Sequence, residues 1–406
     1  RLLSKDLSAE VFSYLSSETQ EGIVTFLNSS ELSFIIEQLA TDDAVDFLEE
    51  MPANIVRKAL KGATPETRKL INKYLSYEED TAGAIMTPEF ISLQIDITTD
   101  EALDEIRRQG EEAETINVLY VVDSKKTLKG VLTIKELLLA KKGAPIKDVI
   151  TDNVVATTTD MDQEKIATIF SKYDFLALPV VDKENRIVGI VTVDDIIDVI
   201  KEEATEDFEK MAAITPTNKP YLKTSVFSIW KNRIPWLMLL LISATFTGLI
   251  LNVYQEKLSA ISTALVACVP MIMDTGGNAG SQASVTVIRA MALGELTIKD
   301  WYKVVWKELL ASALLGLSLA IVCFGKLLLI DHLLFGFEGY TIIRCLVISF
   351  VLMFTVIVAK LVGCILPMLA KKCHLDPAVV ASPFITTIVD ATSLIVYCLV
   401  SIAVLA

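Results

Sequence analysis

PMIMDTGGNAGSQAS, Pro270–Ser284, breaks an apolar run with an Asp, an Asn, a Gln, two Ser and three Gly. Apolar stretches near 236–251, 258–273, 308–330, 345–370 and 378–406 surround it, and several reach the roughly 20 residues that a helix needs to cross hydrocarbon. We read five spans. The two shortest become long enough only if polar residues at their ends face protein or water. An unpaired polar group in hydrocarbon costs several kcal/mol, so the break itself must face protein or a water-filled path. Gly276, Gly277 and Gly280 permit close backbone approach or a helix break, and Asn278, Ser281, Gln282 and Ser284 offer neutral oxygens. Two readings stay open on these residues: packing between helices through small side chains, and an ion path, toward which the Asp, Asn and Gln weigh.

The last span, DPAVVASPFITTIVDATSLIVYCLV at 376–400, sharpens the choice. Asp390 stands deep in an apolar helix with no base within four residues, and a carboxylate there marks either a functional site or a protonated side chain bonded to a neighbouring helix. Thr386 and Ser393, at i−4 and i+3, share its face and add oxygens. That donor set suits hydrated Mg2+, which prefers oxygen and dehydrates reluctantly.

The chain carries a formal net charge of −14 over 406 residues, unevenly spread. Residues 1–220 hold 24 Lys and Arg against 42 Asp and Glu, whereas 221–406 hold 13 against 9. The first part reads as acidic and water-soluble, with no nucleic-acid partner expected. Lys223, Lys231 and Arg233 precede the first span, Arg289, Lys299, Lys303 and Lys307 separate the second from the third, and Lys371 and Lys372 the fourth from the fifth. Bases near span ends favour the cytoplasm, so the acidic part is expected inside the plasma (inner) membrane and the C-terminus outside. Arg344 and Lys360 depart from that pattern. The six cysteines, Cys268, Cys323, Cys345, Cys364, Cys373 and Cys398, show no paired spacing, which argues against a disulfide or zinc framework. No signal peptide is visible, and a chain opening on Arg1 reads as truncated.

In the acidic part, Leu15-Ser-Ser-Glu, Leu27-Asn-Ser-Ser-Glu, Leu39-Ala-Thr-Asp-Asp, Met51-Pro-Ala-Asn and Gly62-Ala-Thr-Pro-Glu recur at about 12 residues. Each places a helix-starting Ser, Thr, Asp or Pro before a short apolar stretch, which predicts a solenoid of two-turn helices. Further on, YVVDSKKTLKGVLTIKEL (120–137) aligns with PVVDKENRIVGIVTVDDI (179–196) at a spacing of 59 residues. Each copy follows an extended opening, MTPEFISLQIDITTDEAL or ITDNVVATTTDMDQEKIA, and the duplication resembles a tandem pair of CBS domains. The resemblance implies a regulatory module that often holds an adenine nucleotide such as ATP. Thr192 and Asp195 fit its ribose-holding pattern, and the first copy has Thr133 and Glu136 there instead. The second copy runs into DDIIDVIKEEATEDFEK (194–210), eight carboxylates offset by Lys201 and Lys210 alone. Asp195, Asp198, Glu202, Glu206 and Glu209 fall on one helical stripe, and like charges three or four apart each cost a few tenths of a kcal/mol. The stripe is either a solvated face or a sensor for a hard divalent cation.

Taken in order, the helical N-terminal region, the CBS pair, PMIMDTGGNAGSQAS with the following VIRAMALGEL, and the Asp390 span resemble the MgtE family of magnesium channels over essentially the whole chain. The resemblance implies a multidomain homodimer: an α-helical solenoid at 1–78, α/β CBS domains at 79–145 and 146–200, an acidic connecting helix and linker at 201–225, and an all-α transmembrane domain with five helices at 226–406. It implies a Mg2+ pore on the two-fold axis lined by Asp390, Asn278, Thr386 and Ser393. It further implies closure by internal Mg2+ held at Glu10, Asp42, Asp46, Glu164, Asp174, Asp195, Asp198, Glu203, Glu206 and Asp207. A Na+- or proton-coupled carrier using Asp390 is the competing reading. An enzyme is disfavoured: His332 and His374 are the only histidines, and the chain has no HExxH, GxSxG or phosphate-cradling Gly-Lys-Ser motif.

Overall fold

A computed structural model describes residues 5–49, 51–217, 221–379 and 382–405. The chain divides into two compact units, Arg1–Lys201 and Glu202–Ala406.

The first unit opens with the short helices α1 (Lys5–Ser13), α2 (Ser17–Val24), α3 (Ser29–Gln38), α4 (Thr41–Glu49), α5 (Ala53–Gly62) and α6 (Pro65–Tyr74). From α2 to α6 the starts repeat every 12 residues, the period seen in the caps. Asn28 opens α3 with a reciprocal cap, its Oδ1 accepting from Glu31 N and its own N donating to Glu31 Oε2, both at 2.9 Å. Thr64 and Pro65 open α6 in the same spirit. Two turns bury too little to stand alone, so the repeats pool their apolar faces. Leu32, Ile36, Val45, Leu48 and Ile71 share one core with Ile166, Phe170, Leu178, Val191 and Val199 of the later sheet region.

Next come α7 (Ala82–Ile85), β1 (Phe90–Gln94), α8 (Thr99–Gln109), β2 (Thr115–Val122), β3 (Leu128–Thr133) and α9 (Ile134–Leu139). The second copy supplies β4 (Thr157–Thr158), α10 (Gln163–Tyr173), β5 (Ala177–Val181), β6 (Ile187–Thr192) and α11 (Val193–Met211). Both sheets run first strand parallel to the middle one and third antiparallel to it, in the orders β1-β2-β3 and β4-β5-β6. The duplication reaches the register. Val121 pairs with Gly130 and Val180 with Gly189, and each ladder slips at the next residue. The paired glycines have a steric reason: a Cβ at Gly130 would lie 3.0 Å from Thr151 O, and one at Gly189 would lie 2.9 Å from Thr87 O.

The second unit holds the rest of α11 and five long helices among the described residues: α12 (Val226–Ile261), α13 (Thr263–Ala292), α14 (Trp301–Lys326), α15 (Ile342–Lys372) and α16 (Ser382–Leu405). Four of the five stretches are long and apolar enough to cross a membrane, α14 counting together with its continuation as a π-helical turn, Leu327–Leu334. The exception is α13, because PMIMDTGGNAGSQAS dilutes its apolar content. The helices α12 and α13 extend well beyond the apolar runs read from sequence, since charged and polar ends continue the same helical turns, whereas α15 and α16 keep close to theirs. Arg344 donates to Ile261 O at 3.1 Å and Gly339 O at 3.0 Å, satisfying the end of α12. Lys360, buried in α15, stands 3.7 Å from Glu308 of α14 and is thereby paired.

Candidate functional site

Of the two outcomes that the glycines allowed, the structure takes close approach, since α13 passes unbroken through Gly276, Gly277 and Gly280. A Cβ at Gly363 would overlap the Gly280 carbonyl, so α13 and α15 touch backbone to backbone. On the other side, a Cβ at Gly277 would meet Thr386 Cγ2 at 3.0 Å and Asp390 Oδ1 at 3.3 Å, and one at Gly276 would meet Ser393 Oγ at 2.8 Å. Ser281 and Thr386 hydroxyls lie 3.3 Å apart. The glycines therefore bring Asp390, Thr386 and Ser393 of α16 against α13 one residue from Asn278. Ser393 is buried and Asp390 half-buried.

The opposite face of α13 has no cover among the described residues. Asp274, Asn278 and Gln282 are all exposed, four residues apart and near the middle of the helix, while Gly276, Gly277, Ala279, Gly280 and Ala283 are buried. The glycines and alanines pack with Ser284, while Asp274, Asn278 and Gln282 stay open.

A second group of carboxylates forms in the first unit. Asp42, in the first turn of α4, is buried, its Oδ1 accepting from Asp43 N at 3.0 Å. Burial and the charge of Asp195 push its carboxyl well above the usual range. Burial raises Asp195 to about 6, Asp194 adding to the shift and a 2.6 Å hydrogen bond from Thr192 Oγ1 opposing it. Glu114 is raised by burial and by Asp194 and Asp195. The group had been only half legible, since Asp43, Asp194 and Glu114 lie in three separate segments and carry no motif.

A third group lies in the second unit, where Lys210 Nζ reaches Glu206 Oε1 and Asp376 Oδ2, both at 2.8 Å. Asp207 is raised by burial and by the Asp376 charge, and Glu203 and Glu206 add to the repulsion. Asp376 was not singled out from sequence; it precedes Pro377 and its Oδ1 accepts from Ala378 N at 2.8 Å, a local turn that reads like a helix entry.

The remaining expected ligands do not converge. Glu164 and Asp174 are exposed at opposite ends of α10, about 15 Å apart by the rise of a helix. Asp46 is exposed one turn beyond Asp42, Asp198 pairs with Lys201 at 2.6 Å, and the side chain of Glu10 lies outside the described residues. Among the described residues no three His, Cys, Asp or Glu are arranged as a ready metal cage. Mg2+ keeps most of its water and takes one or two carboxylates, so paired acids fit it and a closed cage is unnecessary.

Comparison with known proteins agrees with this layout. A divalent cation transporter family model, MgtE, matches 269–400, the MgtE intracellular N domain matches 1–80, and CBS domains match 82–143 and 146–202. The magnesium transporter MgtE of Thermus thermophilus is 39% identical over 402 residues, 98% of this chain and 86% of the relative. This chain belongs to the MgtE family. The magnesium transporter MgtE of Bacillus subtilis is 30% identical, covering 97% of this chain and 85% of its own. A solved cytosolic domain of the Mg2+ channel MgtE in complex with ATP is 42% identical over 49% of this chain and 81% of that one, with a TM-score of 0.46. As an MgtE member the chain is a transporter and not an enzyme, built from a helical N domain, a CBS pair and an apolar helical region.

Proposed function

We propose that the chain conducts Mg2+ into the cytoplasm, down its gradient, through a path formed by two copies of the membrane helices. The observation that carries this reading is the exposed Asp274, Asn278 and Gln282 stripe at mid-helix, beside Asp390. Carboxylate and amide groups at that depth are costly against lipid, and a second copy or a water-filled path removes the cost. Asp390 attracts the cation, while Asn278, Thr386 and Ser393 present oxygens to its water shell. In this reading the acidic part is cytoplasmic and the C-terminus outside, in the plasma membrane.

The same proposal makes the acidic groups the regulator. Asp42 with Asp195, and Glu203, Glu206 and Asp207 with Asp376, repel in the metal-free state, and Mg2+ relieves that repulsion. Closure follows if Mg2+ binds the closed arrangement more tightly than the open one, because equal affinity shifts nothing. Thr192 and Asp195 also carry the adenine-nucleotide reading, with the CBS pair holding ATP at the end of β6.

The test is Mg2+ influx into liposomes holding the purified full chain, with no Na+ or pH gradient, at low and high Mg2+ on the cytoplasmic face. Flux driven by the Mg2+ gradient alone, stopped by high cytoplasmic Mg2+ and lost in Asp390→Asn, is the expected result. Flux that requires an imposed Na+ or proton gradient replaces the channel with a coupled carrier.

A further inference from the structure

Asp274 plays no part in the readings above beyond belonging to the exposed stripe, and its situation is unusual. It stands in the middle third of α13, exposed, and makes no ion pair or hydrogen bond among the described residues. It precedes Asn278 by four residues, about 6 Å along the helix toward Thr263, and shares that residue's face. Three residues on, a Cβ at Gly277 would stand 3.3 Å from Asp390 Oδ1, so Asp274 lies within one turn of the α13–α16 contact. A carboxylate at this depth with no base has two settings that make sense: a protonated side chain against lipid, or an ion path. Its place on one face with Asn278 and Gln282 favours the path.

We propose that Asp274 is a second ion-binding carboxylate of the conduction path, one helical turn before Asn278, which strengthens discrimination for divalent over monovalent cations. This rests on the proposal that Asp390 lines the path. The chemistry is charge density. A hydrated divalent cation gains twice the Coulomb attraction of a monovalent one from each carboxylate it passes, so a second carboxylate widens the gap between them. In a path shared by two copies each level is doubled, which gives four carboxylates along about one turn of helix. Asp274 also sits toward the end of α13 that the charge pattern places outside, so an entering cation meets it before Asp390.

The experiment uses the full chain in a planar bilayer with Mg2+ on one side and Na+ on the other. Wild type is expected to reverse near the Mg2+ potential. Asp274→Asn is expected to conduct with its reversal potential moved toward that of Na+ and its half-saturating Mg2+ raised several-fold, and Asp274→Glu to restore both. Unchanged reversal potential and half-saturation in Asp274→Asn overturn the proposal. Asp274→Ser repeats the test with a second neutral side chain, and loss of the folded protein in both neutral variants makes Asp274 a structural residue and overturns it as well. Asp390→Asn is run beside them. Normal conduction in that variant removes the path reading itself, whereas loss there with no effect at Asp274 removes this inference alone.

Discussion

Asp195 offers the sharpest quantitative test of the acidic group in the first unit. Its carboxyl is raised to about 6, against 3.8 for an unperturbed Asp, first by burial, with Asp194 adding and the Thr192 hydroxyl opposing. Because the folded value lies above the unfolded one, the folded state keeps a proton that the unfolded chain has lost between about pH 4 and pH 6. Stability contributed by this group is therefore present at low pH and lost as pH rises through 6. Two pKa units at 1.36 kcal/mol each give about 3 kcal/mol, and partial solvent exposure of Asp195 reduces this to about 1–3 kcal/mol. Asp195→Asn keeps an oxygen for Thr192 and removes the charge. Hydrogen exchange of the α4 and α11 amides in the full chain, corrected for intrinsic rates, reads the change locally. At pH 8 without Mg2+ the variant is expected to slow that exchange by about 5- to 100-fold, a factor of ten per 1.4 kcal/mol. At pH 5 the difference shrinks. Saturating Mg2+ protects wild type, since ligand at 100 times its Kd adds about 2.7 kcal/mol, and protects the variant far less. Equal exchange at pH 8 together with equal protection by Mg2+ refutes the idea that Asp42 and Asp195 form a repulsive pair waiting for a cation.

Two further outcomes follow from the second unit. Lys210→Met removes the ammonium shared by Glu206 and Asp376, so closure of the path is expected at several-fold lower cytoplasmic Mg2+, read from liposome flux; unchanged sensitivity means the ammonium does not compete with the ion. Gly363→Ala forces a methyl onto the Gly280 carbonyl and is expected to lower thermal stability of the detergent-solubilised protein by several degrees, whereas Gly248→Ala, with nothing within 4 Å of the added Cβ, is expected to be neutral or slightly stabilising.

The legible parts of the fold are those where local chemistry and long-range packing ask for the same residues. The 12-residue helix period was readable because the starts carry helix-opening residues, of which Asn28 and Thr64 cap through their side chains. The sheet duplication was readable because both copies need a glycine at the same crossing, Gly130 and Gly189. In the membrane helices, the polar stretch announced that something met α13, yet a glycine allows a kink as readily as a contact, and only the position of Gly363, 83 residues away, decides for contact. Lys360 looked anomalous for a related reason: its partner Glu308 belongs to another helix and carries no local signal. Asp376 was hidden because its nearest visible role, bonding Ala378 N, is a local one.

The two acidic groups differ in how they are balanced without metal, and that difference predicts different behaviour. Asp42 and Asp195 have no ammonium against them in any ion pair among the described residues, so protons are the cations nearest to hand and their carboxyls titrate upward. The group around Asp207 already holds Lys210, whose own pKa rises because Asp376 and Glu206 accept its hydrogen bonds against the opposing effect of burial. Mg2+ entering the first group displaces protons, and its binding there weakens as pH falls below 6. Mg2+ entering the second displaces a tethered ammonium, which stays charged over the physiological range, and relieves the repulsion that raises Asp207. If both groups govern closure, lowering cytoplasmic pH should weaken Mg2+ closure in wild type, and Asp195→Asn should reduce that pH dependence while leaving the closure that the second group supplies.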